Sequence, residues 1–214
     1  TPINLSSVPR LFKSRLLPIH AALVQVSPPD DFGWMSLGIS VDITLAAALS
    51  ADLVIAQVNT LMPRVLGQSF IHVNDVDVIV ECDEPLITVS RPPVGPYAEA
   101  IARQISRFVE DGSTLQISLG TPPQVVLSGL AEKNDLGVHT QYLTDELMHL
   151  FSTGVITNRR KGINEGKLVA SGAIGSRELY DFVHNNPAIE FHPADVVNNT
   201  AVIASHHRMV AVNT

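Results

Sequence analysis

Short apolar runs alternate with segments of helical composition along most of the chain. Residues 21–26 and 53–58 are apolar runs of strand length, and the alanine-rich residues 42–50 between them predict a helix. Further strands are predicted at 34–40, 69–73, 76–81, 114–119, 136–140, 167–174, 188–192 and 209–213. Further helices are predicted at 96–111, 122–132, 144–153, 176–184 and 198–205. This alternation predicts an α/β fold with mostly parallel sheets flanked by helices.

A proline-rich stretch divides this pattern into two lobes. Residues 84–96 contain four prolines, and residues 90–96 are interpreted as a linker. Residues 1–89 and 97–214 then form separate lobes.

The first helix after the linker has the spacing of an amphipathic helix. Ile101, Ile105, Phe108 and Val109 fall on one face of residues 96–111. We expect this face to pack against the second lobe.

Two strand-to-helix turns are candidate anion sites. Residues 114–119 run into Gly120, and Pro122 suits the first turn of the helix that follows. Free N–H groups and the positive end of the helix dipole favour a phosphate, a carboxylate or a thioester oxyanion there. Gly175 and Ser176 repeat the pattern, either as a glycine turn with a serine N-cap or as a second nest of N–H groups. In parallel sheets such turns meet at one edge, where ligands bind.

Charge and cysteine content narrow the function classes. The net charge of −7 and the pI near 5.5 argue against nucleic acid or an anionic membrane as the main partner. The one basic cluster, residues 159–161, is typical of a solvated loop. A single cysteine, Cys82, excludes an internal disulfide and fits a reducing cytoplasm. No apolar run approaches the roughly 18 residues of a membrane span.

Histidine spacing gives little sign of a metal site. The chain has no HExxH or CxxC motif and no histidine pair at i, i+4, so no metal is expected. His139 ends a predicted strand, and it is either a hydrogen-bonded structural residue or a ligand contact.

Several separated runs, in order along the chain, carry a resemblance to a known family. They are residues 26–30, 36–42, 62–64, 67, 69–73, 135–140, 154–158, 175–177, 179–182 and 185–187. Together they resemble the acetyl-CoA hydrolase/transferase family, which includes acetate, butyrate and 4-hydroxybutyrate CoA-transferases.

The resemblance implies two α/β lobes with the active site between them. It implies a ping-pong reaction in which a glutamate forms a glutamyl-CoA thioester, and a carboxylate or water then accepts the transferred group. On this basis residues 1–89 are the C-terminal part of the first lobe and residues 97–214 the N-terminal part of the second. Both lobes are therefore expected to be incomplete in this chain.

The family's site residues carry over only in part. The resemblance assigns CoA and substrate binding to Gly120, Thr121, Pro122, Gln124, Gly175 and Ser176. Thr121 and the N–H groups near Gln124 would face the acyl oxygen, whereas Pro122 has no N–H. The family usually has glycine where this chain has Ser118, and asparagine where it has Gln124. The nucleophilic glutamate is expected beyond Thr214, so no residue here is assigned a catalytic role.

The sequence therefore predicts an acyl-CoA:carboxylate CoA-transferase acting on acetyl-CoA or a related short-chain acyl-CoA. The CoA thioester would be a substrate, with no permanently bound cofactor, and the full-length protein would be a cytoplasmic homo-oligomer, most simply a dimer. Three alternatives stay open: an acetyl-CoA hydrolase, a non-catalytic CoA- or nucleotide-binding fragment, and a structural subunit whose partner chain carries the nucleophile.

Overall fold

The computed structural model describes residues 2–90 and 96–213, apart from the side chains of residues 121 and 122. Residues 91–95 of the predicted linker lie outside the described residues. The strands are β1 (Ala22–Val26), β2 (Trp34–Ser36), β3 (Val54–Val58), β4 (Phe70–His72), β5 (Val78–Glu81), β6 (Thr114–Ile117), β7 (Gly137–Val138), β8 (Tyr142–Leu143), β9 (Leu168–Ala170), β10 (Gly172–Ala173), β11 (Ile189–Phe191) and β12 (Met209–Val212). The helices are α1 (Val8–Lys13), α2 (Thr44–Ser50), α3 (Ala98–Ile105), α4 (Thr121–Ser128), α5 (Asp145–Ser152), α6 (Arg177–Val183), α7 (Ala194–Val197) and α8 (Thr200–Ala204).

The first group of strands forms a parallel sheet in the order β1-β3-β5. Ala22, Val24 and Val26 of β1 are buried, because they point to the face that packs against the core. Leu23 between them is 80% exposed. The sequence predicted fully buried strands here, and within the described residues this is correct for only one face of the sheet.

The second group of strands brings several carboxyl ends to one edge. β6 lies between β12 and β7, and both pairings are parallel. After β7, His139 forms a single parallel bridge with Val169. The chain then enters β8, which pairs in parallel with β10. β9 pairs in parallel with β11. Parallel sheets flanked by helices confirm the predicted α/β class, with β2 and β4 as an antiparallel pair.

The apolar face predicted for residues 96–111 is only partly buried in the structure. Val109 is buried and Ile105 is half-buried against the core, as predicted, whereas Ile101 is 44% exposed and Phe108 is 77% exposed. Ala98 and Ala102 are buried as well. A 3-10 turn at Ser106–Phe108 follows the α-helix, so the 3.6-residue period that placed Phe108 on the apolar face no longer applies. The small alanines instead allow α3 to pack closely on α4.

Loops from the first group of strands are hydrogen-bonded to strands of the second. The Val41 N–H donates to the Ser171 carbonyl at 3.0 Å, and the Ala173 N–H donates to the Ile39 carbonyl at 2.9 Å. The Phe191 N–H donates to the Leu66 carbonyl at 2.8 Å. Buried apolar residues from both sides of the predicted linker therefore form one continuous cluster.

Candidate active site

Gly120 forms the turn that the sequence predicted between β6 and α4. Its φ of +134° and ψ of 161° lie in a region that is essentially restricted to glycine. The α-helix begins at Thr121, directly after this residue. A side chain at position 120 would therefore strain the turn.

Few backbone N–H groups are available at the N-terminus of α4. Pro122 and Pro123 have none, and the Gln124 N–H donates to the Gly120 carbonyl at 3.3 Å. Thr121 supplies the remaining N–H of the first turn. An anion at this turn would therefore depend mainly on the Thr121 N–H and the helix dipole.

The strand β12 runs beside the same turn. Val212 is level with Ile117, and the Ser118 N–H donates to the Val212 carbonyl at 3.0 Å. Because β12 and β6 are parallel, both strands end at the same edge of the sheet.

The second turn contains a carboxylate of the protein itself. The Ser176 N–H donates to Asp145 Oδ2 at 3.1 Å, and the Ser176 hydroxyl also hydrogen-bonds to Asp145. A Cβ on Gly175 would lie 2.4 Å from Asp145 Oδ2, so only glycine allows this approach. The Ser176 hydroxyl accepts from the Leu179 N–H at 3.3 Å, which confirms its interpretation as an N-cap.

The chain before residue 91 packs over the second turn. The Val89 N–H donates to the Gly175 carbonyl at 3.0 Å, and the Tyr180 hydroxyl donates to the Ile87 carbonyl at 2.8 Å. Burial, followed by the nearby Asp145 charge, raises the pKa of Tyr180, so this hydroxyl keeps its proton.

A cleft of about 420 Å³ opens beside these contacts. It is lined by Val89, Ser90, Asp145, Met148, His149, Ser176 and Glu178. The carboxylates of Asp145 and Glu178 make this cleft unfavourable for the phosphates of a nucleotide.

The strands that precede the two turns belong to different sheets, because β6 pairs with β12 and β7 whereas β10 pairs with β8. The structure therefore brings Gly120 next to β12, and Gly175 and Ser176 next to Asp145.

A buried basic group was missed by the sequence analysis. Lys161, interpreted as part of a solvated loop, is 0% exposed. Its Nζ donates to the Val138 carbonyl at 2.8 Å and to the Lys167 carbonyl at 2.7 Å. Burial lowers the pKa of Lys161 to about 7, and the negative charge of Glu190 opposes this shift. The sequence offered no signal, because nothing in an Arg-Arg-Lys run marks the third residue as internal.

His139 is hydrogen-bonded within the protein. Its ring nitrogen Nε2 lies 2.8 Å from the Val197 carbonyl, which requires the proton on Nε2. Burial lowers the pKa of His139 to about 4, against the opposing effect of this bond. The His206 ring lies 4.4 Å away between ring centroids. These contacts favour the first of the two alternatives for His139, a hydrogen-bonded structural residue.

Within residues 2–90 and 96–213, no group of three or more His, Cys, Asp or Glu side chains is arranged to hold a metal ion. No helix among these residues has the length and apolar character needed to cross a membrane.

Two protein-family models match parts of this chain. Residues 1–90 match the acetyl-CoA hydrolase/transferase N-terminal domain, and residues 175–214 match the acetyl-CoA hydrolase/transferase C-terminal domain.

Curated relatives match over the whole chain. The 4-hydroxybutyrate coenzyme A transferase of Clostridium kluyveri is 46% identical over 214 residues, which cover 100% of this chain and 50% of that protein. The succinyl-CoA:acetate/propanoyl-CoA:succinate CoA transferase of Fasciola hepatica is 39% identical over 215 residues, covering 100% of this chain and 45% of that protein. The chain thus spans about half the length of the curated relatives it matches.

A solved structure shares the fold. The crystal structure of 4-hydroxybutyrate CoA-transferase from Porphyromonas gingivalis superposes with a TM-score of 0.95 at 40% sequence identity. The match covers 100% of this chain and 55% of that one.

Proposed function

Because this chain belongs to the acetyl-CoA hydrolase/transferase family, we propose that it is the central part of an acyl-CoA:carboxylate CoA-transferase. Residues 1–89 would end the first lobe, residues 90–96 would link the lobes, and residues 97–214 would begin the second. Relatives named as CoA-transferases favour a carboxylate over water as the acceptor.

The proposed reaction passes through a carboxylate nucleophile that follows Thr214 in the complete protein. A glutamate oxygen attacks the acyl carbon of a short-chain acyl-CoA such as acetyl-CoA, and CoA leaves as its thiolate. The thiolate attacks the glutamyl carbonyl of the resulting anhydride, which gives glutamyl-CoA and releases the acyl group as a carboxylate. An acceptor carboxylate then takes up CoA by the reverse steps, so CoA is part of a substrate and not a bound cofactor.

The parallel pairing of β12 with β6 is the observation that carries the proposal. A chain continuing beyond Thr214 would leave the sheet at the edge where Gly120 lies. A glutamate a few residues further on would then be close to the N-terminus of α4. Donors fixed at that point stabilise the negative charge that develops on the acyl oxygen.

Within this site each turn has a separate role. We assign the thioester and pantetheine path to Gly120, Thr121, Pro122 and Gln124, with the Thr121 N–H and the Gln124 side chain as donors. Gly175 and Ser176 would border the cleft between the lobes, where Asp145 holds their conformation.

The intact mass of the complete protein tests the proposal. After incubation with acetyl-CoA, the protein should gain the mass of one CoA less one water, and a carboxylate acceptor should remove the adduct. Discharge at the same rate by water alone would favour an acetyl-CoA hydrolase. A protein that binds acetyl-CoA and forms no adduct would be a non-catalytic binding fragment instead.

Replacing Gly120 tests the assigned turn. Gly120→Val should weaken acyl-CoA binding and slow adduct formation, because valine cannot adopt a φ of +134° without strain. Gly154→Val is the matched control, since Gly154 also has a positive φ (+82°), but an added Cβ would meet no heavy atom within 4 Å among the described residues beyond its two chain neighbours. Unchanged acyl-CoA affinity in Gly120→Val would contradict the assignment.

The assembly and location of the complete protein are also proposals. We propose a homodimer that acts in the cytoplasm, where the exposed free thiol of Cys82 would stay reduced. Its partners would be the short-chain acyl-CoA and the acceptor carboxylate.

A further inference from the structure

One side chain satisfies both backbone groups of the residue that ends β6. The Thr140 hydroxyl donates to the Ile117 carbonyl at 2.7 Å and accepts from the Ile117 N–H at 3.1 Å. Thr140 is 0% exposed and Ile117 is 4% exposed. Water therefore cannot replace either hydrogen bond without a rearrangement of the sheet.

The hydroxyl is needed because the ladder between β6 and β7 stops at this level. The His139 N–H still donates to the Leu115 carbonyl at 3.0 Å, as expected for neighbouring parallel strands. The next N–H, that of Thr140, donates to the Val169 carbonyl at 3.0 Å on the other side. The chain has changed its partner strand, and the Thr140 side chain takes the place of the backbone groups that a longer β7 would present to Ile117.

The end of β6 is thus held from both sides. The Ser118 N–H donates to the Val212 carbonyl of β12, while the Ile117 backbone is bonded to Thr140. Gly120, with its restricted backbone, follows only three residues after Ile117. A displacement of this strand end would move the Gly120 turn directly.

We propose that Thr140 is a positioning residue, which sets the place of the Gly120 turn relative to the acyl group through its two hydrogen bonds to Ile117. This inference rests on the proposed CoA-transferase function. Thr140 touches no reacting atom, and it acts through the strand that carries the turn. Misplacement of a catalytic turn by about 1 Å is sufficient to slow a reaction by up to roughly 100-fold.

The test uses the complete protein and compares variants at two buried threonines. Thr140→Val keeps the size of the side chain but removes the hydroxyl, and we expect kcat to fall about 10- to 100-fold while KM for the acyl-CoA changes less. Thr140→Ser should restore most of the activity, and Thr140→Ala should resemble Thr140→Val. Thr114→Val is the matched control on the same strand, because the buried Thr114 hydroxyl has no hydrogen-bond partner among the described residues and its loss should leave kcat unchanged.

Amide hydrogen exchange provides a readout that does not depend on catalysis. The Ile117 amide should exchange faster in Thr140→Val than in the wild type and in Thr114→Val, because its acceptor has been removed. Wild-type kcat in Thr140→Val, equal loss in Thr140→Ser, or unchanged exchange at Ile117 would each overturn this inference. A wild-type protein that transfers no CoA would overturn the proposed function instead.

Discussion

His139 occupies a place where only the neutral imidazole is well accommodated. Its Nε2–H is bonded to the Val197 carbonyl, the His206 ring lies 4.4 Å away between centroids, and the positive charges of His206, Lys161 and His192 add to the effect of burial on its pKa. No carboxylate is among the groups that shift the pKa of His139. Protonation of His139 would therefore place an uncompensated positive charge in this buried site.

Stability should therefore fall in acid because of His139. Its pKa is lowered from 6.5 to about 4, so the unfolded chain binds a proton over this range while the folded chain does not. The contribution is complete above pH 6.5 and is lost as the pH falls to about 4, with a slope of at most about 1.4 kcal/mol per pH unit. Urea unfolding across this range should show a shallower pH dependence in His139→Gln, which keeps an N–H donor. Equal slopes in the two proteins would contradict this.

Lys161 should change the free energy of unfolding at a higher pH than His139 does. Its pKa is lowered from 10.5 to about 7, so between these values the unfolded chain binds one more proton and the free energy of unfolding should rise with pH. As a neutral amine, Lys161 still has two N–H groups for the Val138 and Lys167 carbonyls. The rise should be absent from Lys161→Met and present in Lys13→Met, which removes a surface lysine. A rise in Lys161→Met equal to that of the wild type would refute the assignment.

At the scale of elements, the stability of α6 depends on the residue that caps its N-terminus. Ser176 both caps the helix through the Leu179 N–H and donates to Asp145. We expect Ser176→Ala to lower the free energy of unfolding by about 0.5–2 kcal/mol, the usual cost of losing an N-cap. Ser128→Ala, at the exposed end of α4, should change it by no more than about 0.5 kcal/mol. Equal effects of the two substitutions in urea unfolding would mean that the cap contributes nothing.

The local sequence pattern was sufficient to predict most helices and strands, but not which of their residues are buried. The strand, glycine turn and helix around Gly120 were predictable, because glycine and proline at these positions restrict the backbone locally. The exposure of Phe108 was not, since a 3-10 turn interrupts the helical period before this residue. The burial of Lys161 was equally hidden, because its acceptors on Val138 and Lys167 are set by tertiary packing.

At the scale of the whole molecule, the contacts that join the two halves could not be read from the sequence. The Phe191–Leu66 and Val41–Ser171 hydrogen bonds connect residues far apart in the chain, through loops with no periodic pattern. The resemblance to a known family implied only that the two lobes enclose an active site between them, not which residues connect them. The pairing of β12 with β6, which carries the proposed function, likewise became visible only in the folded chain.

The open face of the β1-β3-β5 sheet should make the 214-residue chain associate with itself. Leu23 is 80% exposed there, Val80 on the edge strand is 46% exposed, and both line one mainly apolar groove with Ile55, whose polar lining is Gln25, Gln57 and Glu84. Unpaired edge strands and contiguous apolar surface favour association. Sedimentation velocity should show oligomers that grow with concentration, and Leu23→Lys should weaken this association at least about tenfold by placing a charge on the face. Leu16→Lys, which changes an equally exposed leucine (76%) outside the sheet, should leave it unchanged. If the wild-type chain stays monomeric, or both substitutions act alike, the sheet face is not the surface of association.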